Sequence, residues 1–248
     1  MSSLLSALDR VEIAVPDLVQ AKADFEDLGF LPREVGDRLV IDLLGQALIL
    51  RQEGADFAAG RRRVGFNAED WLATLDWLKA RGYATAHLPL GGNVELPAEL
   101  TPGFEAMLCE ATVRAPALHP NGASGIASVT AVHDDPERLP LILDRLFQPG
   151  ASVLTDNTLA LHTKRGMVLL SHPEELEQLH PDHDFYPPPV SPAIAAVTLS
   201  IGNSDAAAEW IGKRGVPFTR DQLGCLRFEP EEAAGLVLEL TPLAPLAA

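Results

Sequence analysis

Charged residues stand inside apolar, strand-like runs at several points of this chain. Arg10 and Glu12 lie in Leu8-Asp9-Arg10-Val11-Glu12-Ile13-Ala14-Val15, Arg63 and Gly65 in Arg62-Arg63-Val64-Gly65-Phe66, and Glu239 in Leu238-Glu239-Leu240. Side chains alternate along a strand, so Arg10 shares a face with Glu12, and Arg63 with Gly65. A guanidinium is a planar fork of donors that grips a carboxylate or phosphate through two hydrogen bonds. Arg10 and Arg63, joined by Arg51, are therefore candidate ligands for a small anion, and Gly65 leaves room beside them. Glu12 and Glu110 are candidates to balance that charge or accept a proton. Burial raises a carboxylate pKa toward the range of a general base, which makes Glu239 and Glu110 the catalytic candidates. The plainer expectation for the same residues is ion pairing of Arg10 and Arg63 with Glu12 and Glu110, which only holds a sheet together, and a solvated strand carboxylate at Glu239.

Histidine offers a different chemistry. His162, His172, His180 and His183 fall in one stretch, and His180-Pro181-Asp182-His183-Asp184 places two His and two Asp in a short loop. Pro181 disfavours the helical turn that would bring the two rings together, so surface loop histidines are expected there. His119 is expected to tie down a linker. Cys109 and Cys225 sit far apart in apolar runs and read as reduced core thiols. No Gly-rich phosphate loop, no Gly-x-Ser-x-Gly elbow and no Cys-x-x-Cys occurs.

A net charge of −16 over 248 residues argues against nucleic acid and anionic membrane surfaces as partners; Arg61-Arg62-Arg63 is a short local exception. No run approaches the ~20 apolar residues that span a bilayer, and the first residues lack a basic, then apolar, leader. A cytoplasmic protein without membrane contact is expected.

The elements that must position these side chains repeat. Strand-like starts at 8–15, 62–66, 126–132 and 194–200 are each followed by an amphipathic helix and then a hairpin pattern. The helices are expected from Asp17 to Gly29, with Asp17 as cap; after Asn67 as cap, with Asp70 three residues on; from Asp135-Pro136 to Phe147, burying Leu139, Ile142, Leu143 and Leu146; and from Ser204 to Gly215. Pro89, Gly91, Gly92, Pro97, Pro102 and Gly103 interrupt the second hairpin, whose last strand is expected over Phe104–Thr112. Strand–helix–hairpin units indicate an α+β fold. Pro-rich stretches at 114–122 and 183–192 separate the second unit from the third and the third from the fourth, and the first marks the division between halves: 1–113, a linker at 114–125, and 126–248.

The opening, from Leu8 through Val15-Pro16-Asp17-Leu18 to Phe25-Glu26-Asp27-Leu28-Gly29-Phe30, resembles the first strand and helix of a glyoxalase-like domain of the vicinal oxygen chelate (VOC) superfamily. His119-Pro120-Asn121-Gly122-Ala123 is similar to a linker in one bacterial branch of it. The resemblance implies four tandem βαβββ modules over residues 8 to 241, in two glyoxalase-like halves whose curved mixed sheets form cups. It implies no single reaction, because lyases, epimerases, ring-cleaving dioxygenases, thiol transferases and metal-free drug binders share the fold. Metal ligands in this superfamily come mainly from a His on a module's first strand and a Glu or His on its last. Here the first-strand positions hold Arg10, Arg63, Ser128 and Ala196; the last-strand positions fall near Leu50 or Arg51, Glu110, Leu170 and Glu239. One Glu cannot hold a divalent ion, so the usual metal site and any other cofactor are expected to be missing. The family's pairing of modules would bring Arg10 and Arg63 together where the metal would sit.

The expectation is a VOC-type protein that binds a small organic anion without a metal. One rival is a metal-dependent lyase, isomerase or dioxygenase built on Glu239 and histidines. Another is a degenerate scaffold for dimerisation or protein contact. A homodimer is open to this fold, which allows modules to swap between chains.

Overall fold

A computed structural model describes residues 4–54, 57–83, 92–111, 114–183, 185 and 189–243. Pro89, Gly91 and Thr112, with Asp184 and Pro187-Pro188 of the second Pro-rich stretch, lie outside the described residues. In the first module, β1 (Ala7–Val15) leads into α1 (Leu18–Asp27). The Asp17 carboxylate accepts the N–H groups of Val19 and Gln20, satisfying donors that a helix start leaves without partners. Then come β2 (Arg33–Glu34), β3 (Arg38–Leu43) and β4 (Gln46–Gln52), the last two closing a tight hairpin with Leu43 opposite Gln46.

The second module has β5 (Arg62–Asn67), α2 (Trp71–Ala80), β6 (Val94–Glu95) and β7 (Ala106–Cys109). Asn67 is not a helix cap: the strand runs through it, and Asp70 caps α2 by accepting the Ala73 N–H. The last strand is shorter than expected and leaves Glu110 beyond its end. The third module has β8 (Ala123–Val132), a 3₁₀ turn at Pro136–Arg138, α3 (Pro140–Leu146), β9 (Ser152–Thr155), β10 (Thr158–His162), β11 (Met167–Ser171) and a short α4 (Leu176–Leu179). Its helix does not begin at Asp135-Pro136. Pro140 has no N–H to continue a ladder from the 3₁₀ turn, so the α-helix starts afresh there with Pro in its first turn, and Ile142 ends half-buried. The fourth module has β12 (Ala193–Ile201), α5 (Ser204–Gly212) capped by Asn203, β13 (Thr219–Arg220), β14 (Leu226–Phe228) and β15 (Val237–Pro242).

The strands form two curved mixed sheets. One has the order β2-β3-β4-β1-β5-β7-β6, the other β13-β14-β15-β12-β8-β11-β10-β9. Modules 2 and 4 each pair first and last strands in parallel, β5 with β7 and β12 with β15. The chain also divides into two compact units. The first comprises Met1–Val11, Arg62–Val113 and Val129–Ala195; the second comprises Glu12–Arg61, Arg114–Ser128 and Ala196–Ala248. In the first unit Phe66 packs on Phe104 and edge-on against Phe147, with ring centres 6.0 and 5.0 Å away. In the second, Phe30 packs on Phe25 and against the His119 ring.

His119 does tie the linker to the first module. Its Nδ1 accepts the Leu31 N–H at 3.1 Å, which leaves the proton on Nε2 to donate to the Asp42 carbonyl at 3.1 Å. Burial holds the ring's pKa below its ordinary value of 6.5, against the raising effect of the Asp42 carbonyl. A depressed folded-state pKa means the neutral ring stabilises the fold fully above 6.5, and that contribution is lost as pH falls below it. His119→Ala is expected to cost about 1–3 kcal/mol at neutral pH, because it strands both backbone partners. Urea titrations across pH check this. The variant should show a shallower acid loss of stability than the parent, and an unchanged slope would refute the assignment.

Candidate functional site

Alternation divides the second module's sheet into two faces. Val64 and Phe66 of β5, Ala106 and Leu108 of β7, and Val94 of β6 share the apolar face, where Phe66 meets Phe104 and Phe147. Arg63 and Gly65 share the other face. Arg10 reaches it from β1: its Cγ lies 2.7 Å from where a Gly65 Cβ would be, and Cys109 Sγ lies 2.6 Å from the same point. Gly65 therefore leaves no vacant room for a ligand. Its missing side chain is what lets the Arg10 stem and the Cys109 thiol cross the strand.

Arg10 and Arg63 thus share one buried face of the first unit, with 7% and 1% of their surfaces exposed. Arg10 Nε donates to Asp9 Oδ2 at 2.6 Å, within the same strand. Arg63 has Glu105 Oε2 at 3.9 Å and Glu95 Oε1 at 4.0 Å, ion-pair rather than hydrogen-bond distances, and both carboxylates are partly exposed. Glu12 belongs to the second unit, where Arg51 lies 3.6 Å from its carboxylate and over the Phe57 ring at 4.7 Å. Glu110 is exposed and packs against Gly92.

Glu239 is not the solvated strand carboxylate of the plainer expectation. It is 6% exposed, on β15 opposite Thr198 of β12 and Arg227 of β14. Its Oε2 accepts the Thr198 hydroxyl at 3.0 Å and its Oε1 accepts Arg227 Nε at 3.1 Å. Arg227 Nη2 donates on to Asp221 at 2.8 Å, and Asp221 accepts the N–H groups of Leu223 and Cys225. Burial works against the Arg227 charge, but Cys225, Glu239 and Asp221 outweigh it and raise the guanidinium pKa. Burial likewise works against the Asp221 carboxylate, and the two N–H groups with Arg227 outweigh it, leaving its pKa lowered. Cys225 is pushed up to about 12 by burial and then by Glu239, so its thiol stays protonated at neutral pH. Both cysteines are free and buried.

Arg227 and Asp221 went unnoticed in the sequence. The available signal was a charge of opposite sign in each of two facing apolar strands, Cys225-Leu226-Arg227-Phe228 and Leu238-Glu239-Leu240.

A divalent ion does not fit the residues at the superfamily's ligand positions. Arg10 and Arg63 carry permanent cations with no lone pair to offer, Ala196 has no donor, and both Glu239 oxygens already accept hydrogen bonds, one from a cation. Among the described residues no cluster of three or more His, Cys, Asp or Glu is placed to hold a metal. The histidines disperse. His162 is exposed, and His172 Nδ1 accepts the Glu174 N–H at 3.4 Å. His180 and His183 are buried rather than on a surface loop, each about 6.2 Å from the Phe185 ring, with His180 Nε2 2.7 Å from Thr130 Oγ1. Both rings pack against Phe185. No described helix is long and apolar enough to cross a membrane.

No protein-family model matches the sequence, and no curated protein sequence matches it. Solved structures do. An extradiol ring-cleaving dioxygenase from B. fuscum superposes with a TM-score of 0.67 at 14% identity, covering 97% of this chain and 72% of that one. Homoprotocatechuate 2,3-dioxygenase from Arthrobacter globiformis gives 0.67 at 14% identity, covering 97% and 80%. A xylose isomerase-like TIM barrel/4-hydroxyphenylpyruvate dioxygenase fusion protein gives 0.66 at 14% identity; all of this chain spans half of that one. Superposition over nearly the whole length, on two mixed sheets built from strand–helix–hairpin modules, shows that the chain has the vicinal oxygen chelate fold.

Proposed function

We propose that this protein binds a small organic anion through Arg10 and Arg63 and does so without a metal ion. The observation that carries this is the placement of two buried guanidiniums on one sheet face of one unit. A ligand carboxylate could meet such a fork through two parallel hydrogen bonds. The pairing of Arg227 with Glu239 supports the metal-independent part, because a guanidinium already neutralises Glu239, one of the two carboxylates at the last-strand positions. A cytoplasmic location, a homodimer, and halves at 1–113 and 126–248 joined by 114–125 belong to the same proposal.

Elemental analysis of protein purified without chelator should find metal well below one per chain; near-stoichiometric metal would overturn the metal-independent part. Thermal-shift and calorimetric titrations with acetate, phosphate, small aromatic acids and homoprotocatechuate, the compound named for the dioxygenase neighbours, test the binding part. At least one should bind, and Arg63→Met, verified as folded by circular dichroism, should weaken it about ten- to hundredfold, the worth of a charge-assisted hydrogen bond. The specific competitor is a scaffold without ligand, favoured by the near-complete burial of Arg63. No binding by any member of the panel would leave that as the function.

A further inference from the structure

The two sheets end in four edge strands, β2, β6, β9 and β13. Three of them are two residues long and carry charge: Arg33 and Glu34, Glu95, and Arg220. Short, charged edges are how proteins keep an open ladder from pairing with another chain. β9 differs in both respects. Its four residues, Ser152-Val153-Leu154-Thr155, are uncharged, and Val153, Leu154 and Thr155 are exposed. A row of leucines also runs out at this edge. Leu170 of β11 stands opposite Leu159 of β10, and Leu159 opposite Leu154 of β9. Residues opposite one another share a sheet face. Leu170 and Leu159 are 0% exposed and Leu154 is 44% exposed, so a buried apolar row ends on a half-open residue.

The backbone limits how a further strand can join. The His162 N–H donates to the Ala151 carbonyl at 2.8 Å, one step before the pair of Ser152 with Leu161. Antiparallel pairs alternate between bonded and open, so Val153 and Thr155 bond to β10 while the peptide groups of Ser152 and Leu154 point outward. Asp144 Oδ1 of α3 already accepts the Ser152 N–H at 3.1 Å. Leu154 is left with an outward N–H and an outward carbonyl to exchange with a new strand. A two-fold pair of β9 strands centred on Leu154 uses both, sets Leu154 opposite its own copy and joins the two leucine rows. A pair centred on Val153 needs the N–H that Asp144 holds and sets Leu154 against Ser152. We propose, resting on the homodimer above, that the partner is a second copy of this chain, joined antiparallel through β9 about a two-fold axis at Leu154. Such a contact is self-complementary, and neither strand brings a charge to it. It involves far less surface than the ~800 Å² per partner of a stable interface, so association is weak and concentration-dependent.

The test is sedimentation equilibrium of the intact protein from micromolar to millimolar concentration. Leu154→Pro removes the outward N–H but no bond to β10, a placement that edge strands tolerate. Leu154→Lys puts a charge at the axis. Each, verified as folded by circular dichroism, should weaken dimerisation at least about tenfold, the worth of one or two hydrogen bonds. Leu72→Lys, at a 70% exposed leucine of α2, should leave it unchanged. Leu154→Cys should cross-link to its own copy under mild oxidation, since residues facing across such a pair have Cα atoms about 5.5 Å apart. Val153→Cys should do so far less, because its copies stand on a diagonal of about 7–8 Å. The two native cysteines are buried and do not interfere. A monomer at every concentration removes the homodimer and this inference together. A dimer that survives Leu154→Pro or Leu154→Lys, or that Leu72→Lys dissolves, overturns the edge contact and leaves a homodimer through another surface. Cross-linking by Val153→Cys but not by Leu154→Cys overturns it as well. Should neither Leu154→Pro nor Leu154→Lys fold, the cysteine pair decides.

Discussion

Arg227→Met is expected to destabilise the protein by about 3–5 kcal/mol at neutral pH, because it leaves a buried carboxylate without its cation. Met preserves much of the length and the apolar stem, so the loss reports charge rather than packing. Glu239 keeps only the Thr198 hydroxyl among the hydrogen bonds described above, and at 6% exposure it cannot draw water in to replace the guanidinium. Asp221 suffers less, since its side chain is 24% exposed and keeps two backbone donors. The double variant Arg227→Met/Glu239→Leu should therefore lose less than Arg227→Met alone, although it carries more changes. Equilibrium urea unfolding of the parent, both single variants and the double variant closes the cycle. Additive losses would mean that the pair makes no joint contribution, and the account of Arg227 as the cation that neutralises Glu239 would fail.

Gly29→Ala is expected to cost about 2–5 kcal/mol, the sum of roughly 1–2 for a left-handed backbone at a non-glycine residue and roughly 1–3 for overpacking. Gly29 has φ +85°. A Cβ there would lie 2.8 and 2.9 Å from Cδ1 and Nε1 of Trp210 and 3.0 Å from Cβ of Asn121. None of these neighbours yields easily. Trp210 is held by Arg214, stacked 3.9 Å from the ring centre. Asn121 is fixed by its Nδ2 donating to the Leu28 carbonyl and its backbone N–H donating to the Gly29 carbonyl. Urea midpoints give the size of the loss. Trp210→Leu in the Gly29→Ala background should recover part of it by removing the steric share while the backbone share stays. A neutral Gly29→Ala would show that the indole moves aside, and the packing described for this corner of the second unit would be wrong.

Where a signal is local, the sequence carried it. Asp17 caps α1 as expected because a carboxylate just before an apolar helical stripe has backbone donors within reach, whatever else the chain does. The hairpin β10–β11 turns at Lys164-Arg165-Gly166 for a similarly local reason. Asn67 and Asp70 compete for one cap, and the outcome depended on how far β5 runs, which β7 decides by pairing with it through Cys109. The site was legible in part. Arg10 and Arg63 do share a face, which follows from how the modules pair and not from alternation along one strand, and Asp9, Glu95 and Glu105 are among the carboxylates that reach them. Arg51 and Glu12 pair with each other. Choosing among several carboxylates needs distances between strands, and spacing along the chain does not supply them.

By itself the sequence determined the α+β class, the repeated strand–helix–hairpin module and the face each strand residue occupies, because periods of 3.6 and 2 are written into the order of side chains. Tertiary structure alone decided which charges meet and which are buried. Glu239 became an enclosed partner of Arg227 through an antiparallel register between β14 and β15, and Asn67 came to stand opposite Cys109 through the parallel register of β5 and β7. Register is set by the simultaneous burial of whole faces, a cooperative property of the assembled sheet that no single stretch of the chain contains.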